Sequence, residues 1–395
     1  MNKKTIVITS IITAIAVFVL TTLFYLSPLG VVFVGRLSDS SVSKFYGKLI
    51  KIEKIIEDEY MGSYNSDRMM SYAVQSYVEA LRDPYSAYYS PSAYKDITAE
   101  LDGEYRGIGV VVGTRNGEII VKSVNSSSPA EKAGILKDDV LLSVNGTDYP
   151  AEKLAEAVNV IKGTKVGNTV SLGIRRGEEI LTIDIKIEKV KEILVTHRVI
   201  DGNVGYIRLS SFGTNVGPEF AGTLKELEKE NIKALIIDLR SNPGGTLDSA
   251  TAIADLLLPK GDIVTIKDKK GNEEVYTSDK KELNLPMCVL INEQSASASE
   301  VLAGALKDYN KAILVGKKSF GKGVVQSVMD LGDGSGLSLT IAKYYTPSGE
   351  CIHGVGIEPD IEVDLPEDAD FMIGEEDKND TQLAAALEAI KKQIK

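Results

Sequence analysis

Apolar and polar residues repeat with a different period in each part of this 395-residue chain. Residues 5–26 are apolar and uncharged, residues 44–99 show helical spacing, and residues 100–187 contain short β-rich stretches. Residues 188–365 alternate between strands and helices, and residues 366–395 combine an acidic stretch with one helix. The pattern predicts an α/β domain preceded by a β-rich domain, a small helical region and an apolar segment.

The apolar segment 5–26 follows Lys3 and Lys4. A helix of this length reaches about 33 Å, enough to cross a hydrocarbon core of about 30 Å. A cleaved signal peptide is the alternative, but the run is longer than a usual signal core and no A-x-A-like site follows. Because positive charge precedes the span, we expect residues 1–4 to be cytoplasmic and the part after the linker 27–43 to be extracytoplasmic.

The region 44–99 is predicted to be helical. One apolar stripe has helical spacing: Phe45, Leu49, Ile52 and Ile56. A second helix, over residues 67–81, is predicted to end before the turn Asp83-Pro84-Tyr85-Ser86.

The region 100–187 carries β-rich stretches and a helical pattern over residues 151–161. Its β-rich stretches are Val110–Val112, Ile119–Val124, Val140–Val144, Val170–Ile174 and Leu181–Ile187. Three features in this order resemble a PDZ domain: Gly107-Ile108-Gly109-Val110, Ser128–Ile135 and Val144-Asn145-Gly146. In such a domain, backbone N–H groups of the glycine loop hold a peptide's carboxylate and a strand edge pairs with the peptide. Lys137-Asp138-Asp139 departs from the usual Gly-Asp, and a β-domain that acts only as a spacer is the alternative.

Two stretches of the α/β region, Ala234–Leu239 and Met287–Ile291, are almost entirely apolar, as in strands covered on both faces. We predict further strands at 204–209 and 312–315, with helices around 219–230, 247–257 and 298–308. The last helix places four apolar residues on one stripe, which suits packing or dimerisation: Leu383, Leu387, Ile390 and Ile394.

Composition narrows the possible functions. The net charge is −11, so the chain lacks the overall basic charge typical of nucleic-acid binding. Two cysteines, Cys288 and Cys351, are too few for a disulfide framework or a four-ligand zinc site, and we predict no disulfide. Only His197 and His353 could act as a histidine base.

Candidate chemistry begins at Ser297, where an apolar strand gives way to small residues and then a helix. Its distance from Glu300 also fits a capping box, so a structural cap and a nucleophile remain equal alternatives. Either way, the serine lies beside helix N-terminal N–H groups that can stabilise an oxyanion.

Lys322 is the candidate base, since glycines flank it on both sides and an apolar strand follows. Alternation would place Lys322, Val324 and Gln326 on one face. A lysine can accept a proton only if burial lowers its pKa, and a solvated Lys322 would be an ordinary surface residue. The turn Arg240–Gly245 offers either a second oxyanion N–H or a simple strand-to-helix connection.

Taken together, these motifs resemble the carboxyl-terminal processing (tail-specific) peptidases. The resemblance rests on Asp238-Leu239-Arg240-x-Asn242-x-Gly244-Gly245, Ser295–Glu300, Phe320-Gly321-Lys322-Gly323-x-x-Gln326, Thr346–Gly349 and Gly356–Asp360, and covers residues 44–365.

The resemblance implies a Ser–Lys serine endopeptidase with a crotonase-like α/β core and an inserted PDZ domain. Ser297 would be the nucleophile, Lys322 the base and Gln326 the residue that orients it. The N–H of Ala298, with that of Gly244 or Gly245, would form the oxyanion hole. Residues Gly107, Ile108, Gly109 and Val110 would bind the substrate carboxylate.

We therefore expect a membrane-anchored, extracytoplasmic endopeptidase that acts on proteins with exposed C-termini. Neither a metal nor an organic cofactor is needed, no nucleic acid is expected as a partner, and a homodimer through the last helix is a hypothesis. One rival is an anchored adaptor or holdase with an inactive peptidase domain. The other is a trypsin-like PDZ protease, whose G-x-S-G-G setting is missing.

Overall fold

The computed structural model describes residues 40–101, 103–279, 282–366 and 379–394. The described residues divide into two compact units, one ending at Tyr72 and the other beginning at Ala73. The predicted cytoplasmic residues 1–4 and membrane span 5–26 lie outside the described residues. No helix within the described ranges is long and apolar enough to cross a membrane.

The helices are α1 Ser40–Glu59, α2 Ser66–Glu79, α3 Pro91–Leu101, α4 Pro129–Lys132, α5 Leu154–Gly163, α6 Val216–Lys229, α7 Leu247–Leu257, α8 Ala298–Asp308 and α9 Thr381–Lys391. The strands are β1 Ala87–Tyr89, β2 Glu104–Gly107, β3 Val110–Arg115, β4 Glu118–Val124, β5 Val140–Val144, β6 Thr147–Asp148, β7 Thr169–Arg176, β8 Glu179–Lys186, β9 Glu188–Lys191, β10 Val195–Ile200, β11 Val204–Leu209, β12 Ala234–Asp238, β13 Gly261–Asp268, β14 Glu273–Ser278, β15 Met287–Ile291, β16 Ala312–Gly316, β17 Val324–Asp330, β18 Gly336–Tyr345 and β19 Ile361–Glu362. A 3₁₀ turn at Ala151–Lys153 occupies the start of the helix predicted over 151–161.

The N-terminal unit contains α1 and the first half of α2. The helical stripe predicted from Phe45 and Ile52 lies within α1, as expected. Both of these side chains are exposed in the structure.

The β-rich domain is an antiparallel sheet in the order β3-β4-β5-β7-β8, with β6 beside β5. Its departure from the usual Gly-Asp turn has a local explanation. Asp138 has φ +66°, a left-handed conformation that aspartate tolerates better than most residues. The next residue, Asp139, is buried and accepts two hydrogen bonds from Arg176 at 2.8 and 2.7 Å. The turn therefore forms without glycine.

The α/β domain is built on a six-stranded sheet in the order β10-β11-β12-β15-β16-β19. β10 is antiparallel to β11, and the remaining pairs are parallel. Helices α6, α7 and α8 cover one face of the sheet, and α9 covers the other. The strands predicted from Ala234 and Met287 are therefore buried along their whole length. Because β12 and β15 are parallel neighbours, the loops after their carboxyl ends meet at one edge of the sheet.

A second sheet has the order β1-β18-β13-β14, with β17 paired to β18. Residues of β17 and β18 line the same cleft as Ser297. The sequence predicts the strand after Lys322 but not the strands with which it pairs. Strand β1 enters this sheet next to β18, which brings the turn Asp83–Ser86 to residues more than 250 positions later.

The apolar stripe of α9 packs within its own chain. Leu383 and Ile390 are buried against Cys288 and Leu290 of the central sheet. Intramolecular packing therefore accounts for the stripe, and the homodimer stays an untested prediction.

Candidate active site

Ser297 lies between the end of β15 and the first residue of α8. Its backbone has φ +57° and ψ −115°, a conformation that costs a residue other than glycine about 1–3 kcal/mol. The Ser297 N–H donates to Oε2 of Glu300 at 2.9 Å, and its carbonyl accepts from the N–H of Val301 at 3.0 Å. The predicted capping box between Ser297 and Glu300 is present, but an ordinary cap residue has an extended backbone. The capping interpretation alone therefore does not explain this strained geometry.

The segment on both sides of Ser297 is hydrogen-bonded to the loop that follows β12. The N–H of Ala296 and the hydroxyl of Ser299 both donate to the carbonyl of Asn242, each at 3.0 Å. The hydroxyl of Ser295 donates to the carbonyl of Leu239 at 2.8 Å. These buried bonds fix the two loops relative to each other.

Neighbouring atoms lie so close to this loop that positions 244 and 245 require glycine. A Cβ on Gly244 would lie 2.8 Å from Cβ of Ser297, and Gly244 has φ +103°. A Cβ on Gly245 would lie 2.3 Å from the carbonyl oxygen of Phe212. The N–H of Gly244 donates to Oδ1 of Asn242 at 2.9 Å. This bond engages Gly244 and leaves Gly245 as the glycine that could donate to a ligand.

Lys322 lies just before β17 in a loop that glycine makes possible. A Cβ on Gly323 would lie 2.4 Å from the backbone nitrogen of His353, and Gly321 has φ +90°. Burial lowers the pKa of Lys322, while the carboxylates of Asp83 and Glu300 act in the opposite direction. The flanking glycines therefore permit the close packing that sequence analysis inferred, and the lysine is half-buried rather than an ordinary surface residue.

Glu300 has a larger role than the cap that sequence analysis assigned to it. Its carboxylate is fully buried and accepts four hydrogen bonds. Oε1 accepts from the hydroxyl of Ser319 at 2.5 Å and the N–H of Gly321 at 2.7 Å. Oε2 accepts from the N–H of Ser297 at 2.9 Å and the N–H of Lys322 at 2.8 Å. One carboxylate therefore holds both candidate catalytic loops. The capping-box spacing pointed to this residue, but nothing local indicated the second loop.

Gln326 lies in the same cleft, but its observed hydrogen bonds do not go to Lys322. Its side-chain amide donates to Oγ1 of Thr340 at 3.3 Å. The predicted alternation is interrupted, because Lys322 precedes β17 and the pairing register shifts between Val325 and Gln326. The proposed orienting role is therefore untested.

The cleft that contains these residues has a volume of about 470 Å³. Both polar and apolar residues line this cleft. Its lining includes Tyr85, Tyr89, Ile97, Leu101, Gly245, Thr246, Ser297, Ala298, Val301, Lys322, Val324, Val325, Gln326 and Tyr344. Neither histidine is among the residues that line it. His197 lies beside Glu226 at 3.4 Å, and the ring of His353 packs against Tyr85.

A cluster of buried charged side chains lies at the start of the loop after β12. The guanidinium of Arg240 contacts Asp238 at 2.6 Å, and it contacts Asp380 of the α9 N-terminus at 2.8 Å. Arg208 lies 3.4 Å from Asp238. Burial alone would raise the pKa of Asp238, but the two guanidinium groups hold it at about 2. Because Arg240 begins the loop that contains Gly244 and Gly245, this cluster anchors the loop to the terminal helix.

Known proteins resemble this chain in sequence and in fold. The profile of Peptidase family S41 matches residues 203–363, and that of the PDZ domain matches residues 107–187. A Staphylococcus aureus protein named "Probable CtpA-like serine protease" is 37% identical over 87% of this chain and 71% of its own length. Its Staphylococcus epidermidis namesake is 35% identical over 87% and 72%. The chain belongs to peptidase family S41.

The S41 assignment extends to solved structures. The photosystem II D1 C-terminal processing protease is 28% identical, with a TM-score of 0.51 over 80% of this chain and 88% of that one. The chain is accordingly a serine peptidase with a PDZ domain, and the predicted resemblance to C-terminal processing peptidases is confirmed.

The PDZ domain of this S41 peptidase presents the expected loop at the free edge of its sheet. Gly109 has φ +82°, and a Cβ there would lie 2.3 Å from Cβ of Ser128. Together with Gly107, Ile108 and Val110, it lines an apolar groove of about 90 Å³ between β3 and α5. Strand β3 pairs only with β4 in the described sheet. An exposed edge beside an apolar groove is the arrangement that β-augmentation uses.

Proposed function

We propose that this chain is an endopeptidase in which Ser297 is the nucleophile and Lys322 the general base. The observation that carries the proposal is the shared carboxylate of Glu300, which bonds to the backbone of both residues where they line one cleft. Burial of the lysine supports the role of base, since only a neutral amine can accept a proton.

The proposed reaction is acyl transfer. Neutral Lys322 removes the hydroxyl proton of Ser297 as the oxygen attacks the peptide carbonyl, and the lysine then gives this proton to the departing amine. The N–H groups of Ala298 and Gly245 stabilise the oxyanion. Water then hydrolyses the acyl-enzyme. We retain Gln326 as the residue that orients Lys322, as the family resemblance implies.

The PDZ domain is proposed to capture the substrate's C-terminus. Backbone N–H groups of the loop Gly107–Val110 would hold the carboxylate, and the apolar groove would take the last side chain. Substrates would be proteins with exposed apolar C-termini. An otherwise identical peptide with an amidated C-terminus should bind more weakly.

The test uses a chain that begins at Ser38, incubated with an unfolded polypeptide ending in apolar residues. Wild type, Ser297→Ala and Lys322→Ala are compared by mass spectrometry of the fragments. Lys318→Ala is the matched control, because Lys318 is exposed and paired with Glu358 at 2.8 Å. Cleavage by wild type and the control alone supports the dyad. Cleavage by folded Ser297→Ala would contradict it, and binding without any cleavage would favour an adaptor.

We also propose that residues 5–26 anchor the enzyme and place its peptidase part outside the cytoplasm, and that the α/β core is crotonase-like. The anchor rests on the length and lack of charge of this segment. Alkaline extraction of membranes should leave the full chain in the pellet, whereas a chain beginning at Ser38 should be soluble. Protease added to intact cells should digest the catalytic part. A full-length chain in the soluble fraction would refute the anchor.

A further inference from the structure

The turn Asp83–Ser86 is a sequence motif that the proposed mechanism leaves without a role. It is fixed in place by several hydrogen bonds. Within the turn, the Tyr85 N–H and the Ser86 hydroxyl donate to the Asp83 carboxylate at 3.1 and 2.6 Å. The Ser86 hydroxyl in turn accepts from the N–H of Thr340 on β18 at 3.1 Å. A turn held this tightly can position a side chain with precision.

The turn positions the aromatic ring of Tyr85 next to the amino group of Lys322, the candidate base. Nζ of Lys322 lies 4.9 Å from the ring centroid of Tyr85, within cation–π distance. The ring of His353 also packs against Tyr85 in an edge-to-face arrangement, with 6.3 Å between centroids and an interplanar angle of 67°. The tyrosine ring therefore contacts both a lysine and a histidine.

The charged and titratable groups around Lys322 come from four elements. Asp83 belongs to the turn, Glu300 to α8, and His353 to the segment after β18. Tyr344 of β18 donates its hydroxyl to the Lys322 carbonyl at 2.5 Å, and burial raises its pKa, so it stays neutral. Burial alone would raise the pKa of Asp83, but hydrogen bonds from Ser86, Thr340 and Tyr85 hold it below its usual range, so its carboxylate is charged at neutral pH.

We propose that the turn is the cradle of the general base, in which Tyr85 places its ring under the Lys322 ammonium and Asp83 supplies a compensating negative charge. Both are positioning residues, and their role rests on the proposed assignment of Lys322 as the base. The ammonium forms when Lys322 takes the serine proton. Groups that stabilise it therefore assist acylation and also raise the pH at which the resting lysine becomes neutral.

Replacing Tyr85 or Asp83 should shift the pH dependence of activity in one direction. Removing the ring or the charge destabilises the ammonium, so Lys322 loses its proton at lower pH. The acidic limb of the pH–activity profile should then move to lower pH, while the rate at the plateau falls. A loss of packing alone would lower the rate without moving the limb.

The experiment measures kcat and KM against pH for a fluorogenic peptide that wild type cleaves. Tyr85→Leu should shift the acidic midpoint down by about 0.4–1.5 pH units and lower the plateau kcat by about 2- to 30-fold. Asp83→Asn can keep the bond from the Tyr85 N–H while losing the charge, and should shift the midpoint in the same direction. Tyr85→Phe retains the ring face and should keep the wild-type midpoint.

Two control variants test whether the shift belongs to the contact between Tyr85 and Lys322. Tyr89→Leu changes a different aromatic residue of the same cleft, and its midpoint should stay at the wild-type value whatever happens to KM. His353→Gln should keep the acidic limb, whereas loss of the limb would assign it to the histidine and overturn the proposal.

The outcomes also separate the cradle from the dyad. If Tyr85→Leu does not fold, Asp83→Asn decides. Wild-type midpoints in Tyr85→Leu and Asp83→Asn would refute the cradle while an inactive Lys322→Ala still supports the dyad. An active Lys322→Ala would refute the dyad itself.

Discussion

Replacing Glu300 with glutamine distinguishes a helix cap from a link between two catalytic loops. A capping box accepts glutamine as readily as glutamate, so a purely capping role predicts a small effect, below about 1 kcal/mol. The structure predicts a large one. In wild type, each carboxylate oxygen accepts two hydrogen bonds, one pair on Oε1 and one pair on Oε2.

The magnitude follows from this arrangement. Glutamine offers one oxygen, so its amide nitrogen would face two donors and two bonds to a charged acceptor would be lost. Each such bond contributes about 1.5–3 kcal/mol, so the local loss is about 3–6 kcal/mol. A displacement of about 1 Å of either Ser297 or Lys322 can reduce the rate by about 10²-fold. We expect Glu300→Gln to lose at least this factor in kcat/KM and to unfold at a lower temperature.

The assay pairs peptide hydrolysis with thermal unfolding followed by circular dichroism. The matched control is Glu358→Gln, since Glu358 is an exposed glutamate that pairs with Lys318. Acylation by a serine-directed reagent should also slow in Glu300→Gln, because the strained Ser297 backbone loses its anchor. A folded Glu300→Gln enzyme with wild-type kcat/KM would refute the linking role and restore the capping interpretation.

Three further predictions concern the supporting structure. Gly245→Ala should lower kcat about 10²-fold or more, because the added Cβ would clash with the Phe212 carbonyl and displace the loop. Gly222→Ala is the control, because a Cβ at that position meets open space. Equal kcat values for the two variants would show that close packing at Gly245 does not matter for catalysis. Asp238 has a folded-state pKa of about 2, so its charge should stabilise the fold above about pH 4, and this contribution should be lost as pH falls towards 2. Unfolding curves recorded from pH 5 to pH 2 measure this loss. An Asp238→Asn variant with the same pH dependence as wild type would contradict the assignment of the loss to Asp238. Gly109→Ala should raise KM for a peptide with a free C-terminus and leave KM for its amidated form unchanged; an equal rise for both would indicate general damage to the PDZ domain.

Local sequence determined much of this protein. Apolar runs at Ala234 and Met287 predicted buried strands because a strand covered on both faces excludes polar residues. Small residues around Ser297 and glycines around Lys322 indicated the two candidate catalytic positions, since backbone approach and helix N-termini depend on neighbouring residues alone. The glycines of the loop Gly107–Val110 indicated the PDZ domain for the same reason.

Tertiary structure decided what connects these positions. Glu300 reaches Lys322 only because α8 and the loop before β17 pack together, and Asp380 reaches Arg240 across 140 residues of sequence. Tyr85 meets Lys322 because β1 pairs with β18. Buried polar groups must find partners wherever the fold places donors and acceptors. Such pairings leave no periodic signal in the sequence, because their geometry depends on elements distant along the chain.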